Sequence, residues 1–328
     1  MIKTSFLTIA MLGIVISGFS QNEDSGFKPN GKPFIKVYSN YHTSFAGGRP
    51  APAFEITRAY FGYKFSLSEQ ISGKLNIDVG NPGVGKLQMT AFLKNAYLKY
   101  KADNLTVQFG MIPTLQFKVE EGIWGYRYLK KTFADQYKLG ASADLGVSVA
   151  YKFAGFLSAD MSVVNGEGYK KLQNDSALRT SVAITVTPVR NLTLRGYYDF
   201  MGQDATQSSL AAFVGYTGKK LITGASYNLQ SNNGMDKGHS LSGVSLFITV
   251  VPSKKTKLLV RYDKLSSNKT AGAANAWNLP NDGQLFIAGC EYNPVKGLKL
   301  TPNFQSWDPA DAAKPSVTSL FLNCELKF

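Results

Sequence analysis

"SLFLNCELKF", residues 319–328, alternates apolar and polar side chains up to the last residue of the chain. Successive side chains of a β-strand point to opposite faces, so a two-residue period predicts a strand with one apolar and one polar face. Chain termini are usually poorly ordered unless they are tied into a sheet. The pattern therefore predicts a terminal strand that is held by its neighbours. Its apolar parity comprises Leu320, Leu322, Cys324, Leu326 and Phe328.

The same alternation continues through segments of eight to thirteen residues from residue 34 onward. Every second connection between these segments is short. These short connections are rich in Gly, Pro, Asn, Asp and Ser, the residues that tight turns require. They are residues 66–70, 101–104, 153–155, 188–191, 217–220, 251–255 and 293–297. Longer connections lie between them, at 42–53, 80–89, 113–138, 166–177, 202–208, 230–238, 265–282 and 305–315. Seven short and eight long connections leave sixteen strands.

An even number of strands with short turns at one end and long loops at the other is typical of a transmembrane β-barrel. A soluble β-sandwich also alternates, and it is the alternative. Aromatic residues near both ends of the strands favour the barrel, because such girdles mark membrane interfaces. We therefore expect an all-β, transmembrane antiparallel barrel of sixteen strands with long external loops. Closure removes every strand edge, so the last strand should pair with the first, near 34–41.

The N-terminus has the pattern of a secretory signal peptide over residues 1–20. Lys3 precedes an apolar run from Phe6 to Ile16, and small residues stand at the cleavage positions Gly18 and Ser20. A membrane anchor is the alternative, but the run is too short to span a bilayer, and no later run of 18 apolar residues follows. We expect export, a periplasmic lead over 21–33 and a barrel over 34–328.

The candidate nucleotide-binding, catalytic and metal-binding motifs in the sequence are incomplete. Gly80, Gly85 and Lys86 match a phosphate-binding loop, but Leu87 stands where the motif needs Ser or Thr. His42 and His239 fall in predicted external connections, and no G-x-S-x-G nucleophile motif occurs. Two His and two Cys give no zinc pattern. We expect no enzymatic activity, no cofactor and no metal.

The full sequence carries a net charge of +14, and the polar parity of the strands holds a modest part of this excess. This parity holds eleven basic and seven acidic residues, and the basic excess predicts a positive lumen that prefers anions over cations. The alternative is that these charges only pair with one another and contact water. A nucleic-acid partner is not expected for such a barrel. Lys94 stands at the apolar parity, and either a β-bulge or an interfacial position would accommodate it.

The connection at 113–138 is the longest, and it combines an aromatic cluster with five basic residues. Structureless loops of this length usually have a function. Because a sixteen-stranded barrel encloses a water-filled channel, this third loop is predicted to fold inward and form a charged constriction. The predicted pore-lining residues are Arg58, Lys74, Lys118, Arg127, Lys130, Lys131, Arg179, Arg195 and Arg261.

Two segments, "TRAYFGYKFSLSEQISGKLNIDV" (57–79) and "LKNAYLKYKADNLTVQFGMIPTLQF" (93–117), resemble the phosphate-selective porin O and P family. The likeness lies in Arg58 to Gly62, in Ala96, Tyr97 and Tyr100, and in Gly110 and Pro113. It implies a trimeric porin that passes anions, including phosphate or other oxyanions. The family's run before the third loop carries a lysine, whereas "GMIPTLQF" (110–117) has none. The terminal Phe328 resembles the signal read by the barrel assembly machinery, and Phe19-Ser20-Gln21 resembles secretory proteins of Bacteroidetes.

These patterns predict a bacterial outer-membrane protein through which small solutes diffuse passively, surrounded by outer-membrane lipid. A barrel with a plugged lumen that acts in binding or adhesion is the alternative from a different class. A soluble secreted β-protein is the third.

Overall fold

The computed structural model describes residues 27–81, 89–202 and 205–328. The predicted signal peptide and the glycine-rich motif after Gly80 lie largely outside these residues. The described residues form sixteen strands, as expected. They are β1 (Asn30–Ala46), β2 (Arg49–Ser66), β3 (Ile71–Gly80), β4 (Thr90–Ala102), β5 (Leu105–Pro113), β6 (Ala143–Ala154), β7 (Leu157–Val164), β8 (Arg179–Val186), β9 (Leu192–Gly202), β10 (Thr206–Thr217), β11 (Leu221–Ser231), β12 (Leu241–Val250), β13 (Thr256–Ser267), β14 (Gly283–Val295), β15 (Leu298–Pro309) and β16 (Val317–Lys327).

Every strand pairs antiparallel with its sequence neighbours, and β1 also pairs with β16, which closes the barrel. Two backbone hydrogen bonds complete the pairing of β1 with β16 at the short-turn end of the barrel. Phe328 N donates to Ile35 O at 3.0 Å, and Ile35 N donates to Phe328 O at 3.1 Å. The prediction that the terminal strand seals the ring is confirmed.

The faces of the barrel are reversed relative to a soluble protein. Outward apolar side chains such as Leu246, Ile248 and Leu320 are at least half exposed, whereas inward polar groups such as Thr249 and Asn323 are buried. Alternation with apolar residues outside and polar residues inside is the signature of a transmembrane barrel. The soluble sandwich is therefore excluded. In the described part of the chain, no helix has both the length and the apolar character that a membrane crossing needs.

The seven predicted short turns all fall between consecutive strands, at one end of the barrel. The prediction of a long connection at 42–53 is wrong, because β1 and β2 continue to a two-residue hairpin at Gly47 and Gly48. Both glycines have positive φ, 59° and 81°, which is what the favoured two-residue hairpin turn requires. His42 thus lies within β1 rather than in a loop, and β1 begins at Asn30, four residues before the expected boundary.

The loop between β5 and β6, residues 114–142 and called loop 3 below, contains two short helices. Helix α1 is Lys118–Trp124, and helix α2 is Phe133–Gln136. Gly125 ends α1 in the left-handed conformation with φ of 71°, and its N–H donates to the carbonyl of Glu121, a common helix terminus.

Candidate functional site

Loop 3 folds into the barrel and packs against the inner wall, as predicted. Trp124 is 1% exposed, and its ring lies 5.1 Å from that of Phe247 on β12. The hydroxyl of Tyr128 lies within hydrogen-bonding distance of Glu291 on β14, at 2.9 Å, and of Thr301 on β15, at 2.6 Å. Apolar side chains point inward at the same place on the wall, where polar ones would be usual. The wall thus carries an apolar docking surface for the loop, formed by Phe213, Phe247, Leu259, Leu285 and Ile287.

Wall side chains also bind the backbone of loop 3. Arg195 donates to Leu115 O at 3.1 Å, Gln230 donates to Leu139 O at 2.7 Å, and Arg261 donates to Lys131 O at 2.7 Å. These contacts come from β9, β11 and β13, so the loop is fastened along much of its length. Buried backbone carbonyls need such partners, because leaving them unsatisfied costs about 1–3 kcal/mol each.

Several basic residues of the lumen are paired with carboxylates. The pairs are Arg58–Asp78 at 2.9 Å, Arg179–Asp199 at 3.3 Å, Arg195–Asp160 at 2.7 Å, Arg261–Asp263 at 2.7 Å and Lys299–Glu325 at 3.1 Å. Within loop 3, Arg127 bridges Glu121 and Asp135, and Lys131 contacts Asp135 at 3.1 Å. The pairing that sequence reasoning weighed as the alternative therefore accounts for much of the lumen charge.

Two carboxyl groups of loop 3 have opposite environments. Burial raises the pKa of Glu120 to about 7, although Arg261 acts against this shift. Burial also raises the pKa of Asp135, but Arg127 and Lys131 outweigh it and hold the pKa at about 2. Asp135 is thus an ionised structural anchor, whereas Glu120 changes its charge near neutral pH.

The wall opposite the docked loop remains open. A cavity of about 320 Å³, called the upper cavity below, lies between α1 and strands β1–β4. Among the described residues, five basic side chains and one carboxylate, that of Glu121, line it. Aromatic rings and two amides complete the lining, including Phe34, Tyr38, Tyr60, Asn76 and Asn95. The basic residues are Lys36, Lys74, Lys94, Lys118 and Arg127.

A second cavity of about 450 Å³, called the lower cavity below, lies toward the short turns and shares Lys74 with the first. Four lysines line it, and among the described residues no acidic side chain does. Within the same part of the chain, none of these four lysines forms an ion pair. They are Lys32, Lys64, Lys74 and Lys99. Lys74 Nζ instead lies 3.2 Å from Asn95 Oδ1 and 5.3 Å from the Phe34 ring centre.

The structure separates the nine residues predicted to line the pore into three groups. Lys74, Lys118 and Arg127 lie together on the upper cavity, where Arg127 also pairs with Glu121 and Asp135. Arg58, Lys131, Arg179, Arg195 and Arg261 each contact a carboxylate. Lys130 lies on a different cavity near the long loops.

Lys94 shows what parity alone missed. Asn76 pairs with Asn95 but Ile77 pairs with Leu93, so Lys94 is the extra residue of a β-bulge. The bulge turns its side chain inward, where it is 8% exposed and its Nζ lies 3.6 Å from Asp78. The ammonium also lies over the rings of Tyr60 and Tyr169, at 5.2 and 5.1 Å. The sequence signal for this feature is a lysine at an apolar position. A β-bulge is one of the two arrangements that such a lysine predicts.

A closed barrel of sixteen antiparallel strands with a loop folded into its lumen has the fold of the outer-membrane porins. The chain is similar to the outer-membrane channel DcaP of Acinetobacter baumannii, with a TM-score of 0.69, 13% identity and coverage of 94% of this chain and 100% of that one. It is also similar to an anion-selective porin from Comamonas acidovorans, with a TM-score of 0.65, 10% identity and coverage of 92% and 100%.

A third similar structure is OmpT, an outer-membrane protein of Vibrio cholerae in a trimer form, with a TM-score of 0.59, 12% identity and coverage of 92% and 100%. At these identities the likeness is one of fold. No family model matches the sequence, and no curated protein matches it. The resemblance to the phosphate-selective porins therefore stays a prediction.

Proposed function

We propose that this chain is a passive diffusion channel of the bacterial outer membrane that prefers small anions. The observation that carries the proposal is the pair of cavities that share Lys74. Both cavities lie on the β1–β4 side of the lumen, and their lining includes lysines without carboxylate partners among the described residues. Rings of Lys and Arg favour anions in a pore, because the potential they create attracts anions and repels cations.

Ion selectivity depends on the basic residues of the lumen that have no carboxylate partner. Arg179, Arg195 and Arg261 are compensated, so their far fields largely cancel. Lys74 and Lys118 are not, because no described carboxylate lies within ion-pair distance of either ammonium. We therefore assign the selective role to Lys74 and Lys118 from the predicted set, with Lys32, Lys64 and Lys99 of the lower cavity beside them.

Reversal potentials in planar bilayers under a KCl gradient test the anion preference. The wild-type barrel should give the sign for chloride, and Lys74→Glu should shift it toward potassium, since Lys74 lines both cavities. Lys264→Glu is the matched control, because this residue is exposed on β13 at outward parity. A wild-type reversal potential with the cation sign would refute the preference. The absence of conductance steps would refute the channel and favour the plugged binding barrel.

Which anion passes is a finer part of the proposal. Phosphate and other oxyanions follow from the sequence resemblance, and amides beside lysines suit them, because Asn76 and Asn95 offer hydrogen bonds as well as charge. Inhibition of chloride current by micromolar phosphate would support an oxyanion site. Equal block by sulfate and phosphate would mean that only charge is recognised.

We also propose a homotrimer in outer-membrane lipid, delivered by the barrel assembly machinery through Phe328. The trimer form of one similar outer-membrane protein and the sequence resemblance support the trimer. The mass of the detergent-purified protein, measured by light scattering, tests it, and a monomeric mass in mild detergent would contradict it.

A further inference from the structure

A third cavity, called the external pocket below, lies at the long-loop end of the barrel, apart from the upper and lower cavities. Its volume is about 540 Å³, within the range of roughly 300–1,000 Å³ typical of small-molecule sites. Loop 3, the loops at 232–240 and 268–282, and the ends of β12–β15 surround it. Leu241, Leu265 and Leu285 are buried beneath it, so its floor is apolar.

Three large aromatic side chains line the external pocket. They are Tyr137, Trp277 and Trp307. The ring centres of Tyr137 and Trp307 lie 6.1 Å apart with planes inclined by 36°. Trp277 stacks on His239 at 4.5 Å with nearly parallel planes, and its Nε1 donates to Ser240 O at 3.1 Å. These contacts fix the ring, so the aromatic surface exists before any ligand arrives.

Polar groups complete the lining. Gln136, Asn233 and Asn281 bring amides, and Lys130 and Lys138 bring ammonium groups. No carboxylate is among the lining residues that the structure describes. Lys138 has a φ of 60°, in the left-handed region that lysine rarely adopts. Such backbone geometry costs about 1 kcal/mol or more and persists only where the surrounding packing holds it.

We propose that the external pocket binds an acidic saccharide. The C–H faces of a sugar ring carry partial positive charge and pack on the negative faces of aromatic rings. Hydroxyl groups around the ring match side-chain amides, which both donate and accept hydrogen bonds. A uronate carboxylate would pair with Lys130 or Lys138. A simple inorganic anion would leave the three aromatic rings without a role, and a neutral sugar would leave the two lysines without one.

Intrinsic fluorescence of the full-length barrel in detergent tests this proposal, because two of the three tryptophans line the pocket. Tri-galacturonate is the acidic probe, and maltotriose is the neutral one. We expect saturable quenching by tri-galacturonate and weaker binding of maltotriose. Lys138→Gln should weaken tri-galacturonate binding about tenfold, the loss expected for one charge-assisted hydrogen bond. The measurement needs no current, so its outcome is independent of whether the barrel conducts.

Variants separate recognition from folding. Lys237→Gln is the matched control, since Lys237 is exposed in the neighbouring loop but does not line the pocket, and it should bind as the wild type does. Trp277→Leu should weaken binding of both probes, whereas Trp277→Phe should retain part of it. No saturable change with tri-galacturonate, or equal affinity for maltotriose, would overturn the proposal.

Discussion

Glu120 is a carboxyl group held where its charge is costly. Its side chain is 8% exposed, and Ser226 Oγ lies 3.3 Å from one carboxyl oxygen. Because burial raises its pKa from 4.5 to about 7, the docked loop favours the protonated form. This contribution to docking is complete below about pH 4.5 and is lost as the pH rises through about 7. The loss is at most about 3.5 kcal/mol, since one pKa unit corresponds to about 1.4 kcal/mol.

We predict that Glu120→Gln removes this pH dependence. Glutamine keeps an oxygen that can accept from Ser226 but cannot ionise. Hydrogen exchange of α1, corrected for intrinsic rates, should speed up between pH 4.5 and 8 in the wild type and stay level in the variant. Asp135 does not interfere, because its pKa of about 2 lies below this range. The same acceleration in both proteins would show that another group controls docking.

Arg261 is the most enclosed cation of the docking wall. It is 1% exposed, makes two hydrogen bonds to Asp263 at 2.8 and 2.7 Å, and lies 4.9 Å from the Trp124 ring centre. Removing one member of such a pair leaves a buried charge without compensation, which costs about 3–5 kcal/mol.

We therefore predict that Arg261→Met strongly destabilises the barrel, whereas the double change Arg261→Met with Asp263→Leu recovers most of the loss. The recovery follows because the second change removes the uncompensated carboxylate. Urea unfolding in detergent, followed by heat-modifiable gel mobility, measures both. If the double variant were as unstable as the single one, the arginine's bond to loop 3 would matter more than the ion pair.

At the scale of the element, the docking of α1 depends on two glycines in the wall. Gly215 on β10 pairs with Gly224 on β11, and both face the lumen. A Cβ atom at Gly215 would lie 2.8 Å from Ile123 Cδ1 of α1, and one at Gly224 would lie 2.4 Å from the Phe247 ring. Both distances are too short, so the missing side chains make the space into which helix and aromatic rings pack.

We predict that Gly215→Val displaces α1 while leaving the strands paired. The variant should keep its heat-modifiable mobility but show faster hydrogen exchange in 118–124 and an altered conductance. Gly196→Val on β9 is the matched control, because no atom lies within 4 Å of its Cβ position. An equal effect of the two substitutions would mean that β-propensity, and not the contact with α1, is responsible.

Alternation was enough to predict the strands, their number and the inward loop, because the side-chain period and the length of a connection are local properties. Lys74 and Arg261, which stand at the polar parity, both lie on the inner face. Alternation could not tell that Arg261 is paired and Lys74 is not, since this depends on which strands become neighbours and on their register. Alternation did not predict the hairpin at Gly47–Gly48, because β1 and β2 continue beyond the residues in which polar and apolar side chains alternate.

At the scale of the whole molecule, closure depends on backbone bonds at the seam between β1 and β16. The side chain of Phe328 is 87% exposed, so its ring adds little packing within the chain. Its backbone, however, both donates to and accepts from Ile35. The backbone of the residue thus acts in the folded barrel, whereas we propose that its ring acts in recognition before folding.

We predict that Phe328→Ala leaves the stability of the refolded barrel within about 0.5 kcal/mol of the wild type, as is usual for exposed positions. In cells, the same variant should reduce the amount of folded barrel in the outer membrane, because the assembly machinery would lose its terminal aromatic signal. Phe153→Ala is the matched control, since Phe153 is also exposed, at 60%, and lies beside a short turn. Equal reductions for both variants would show that lost lipid contact, rather than recognition of the terminus, explains the effect. A reduced stability of refolded Phe328→Ala would instead place the role of the ring in the closed barrel itself.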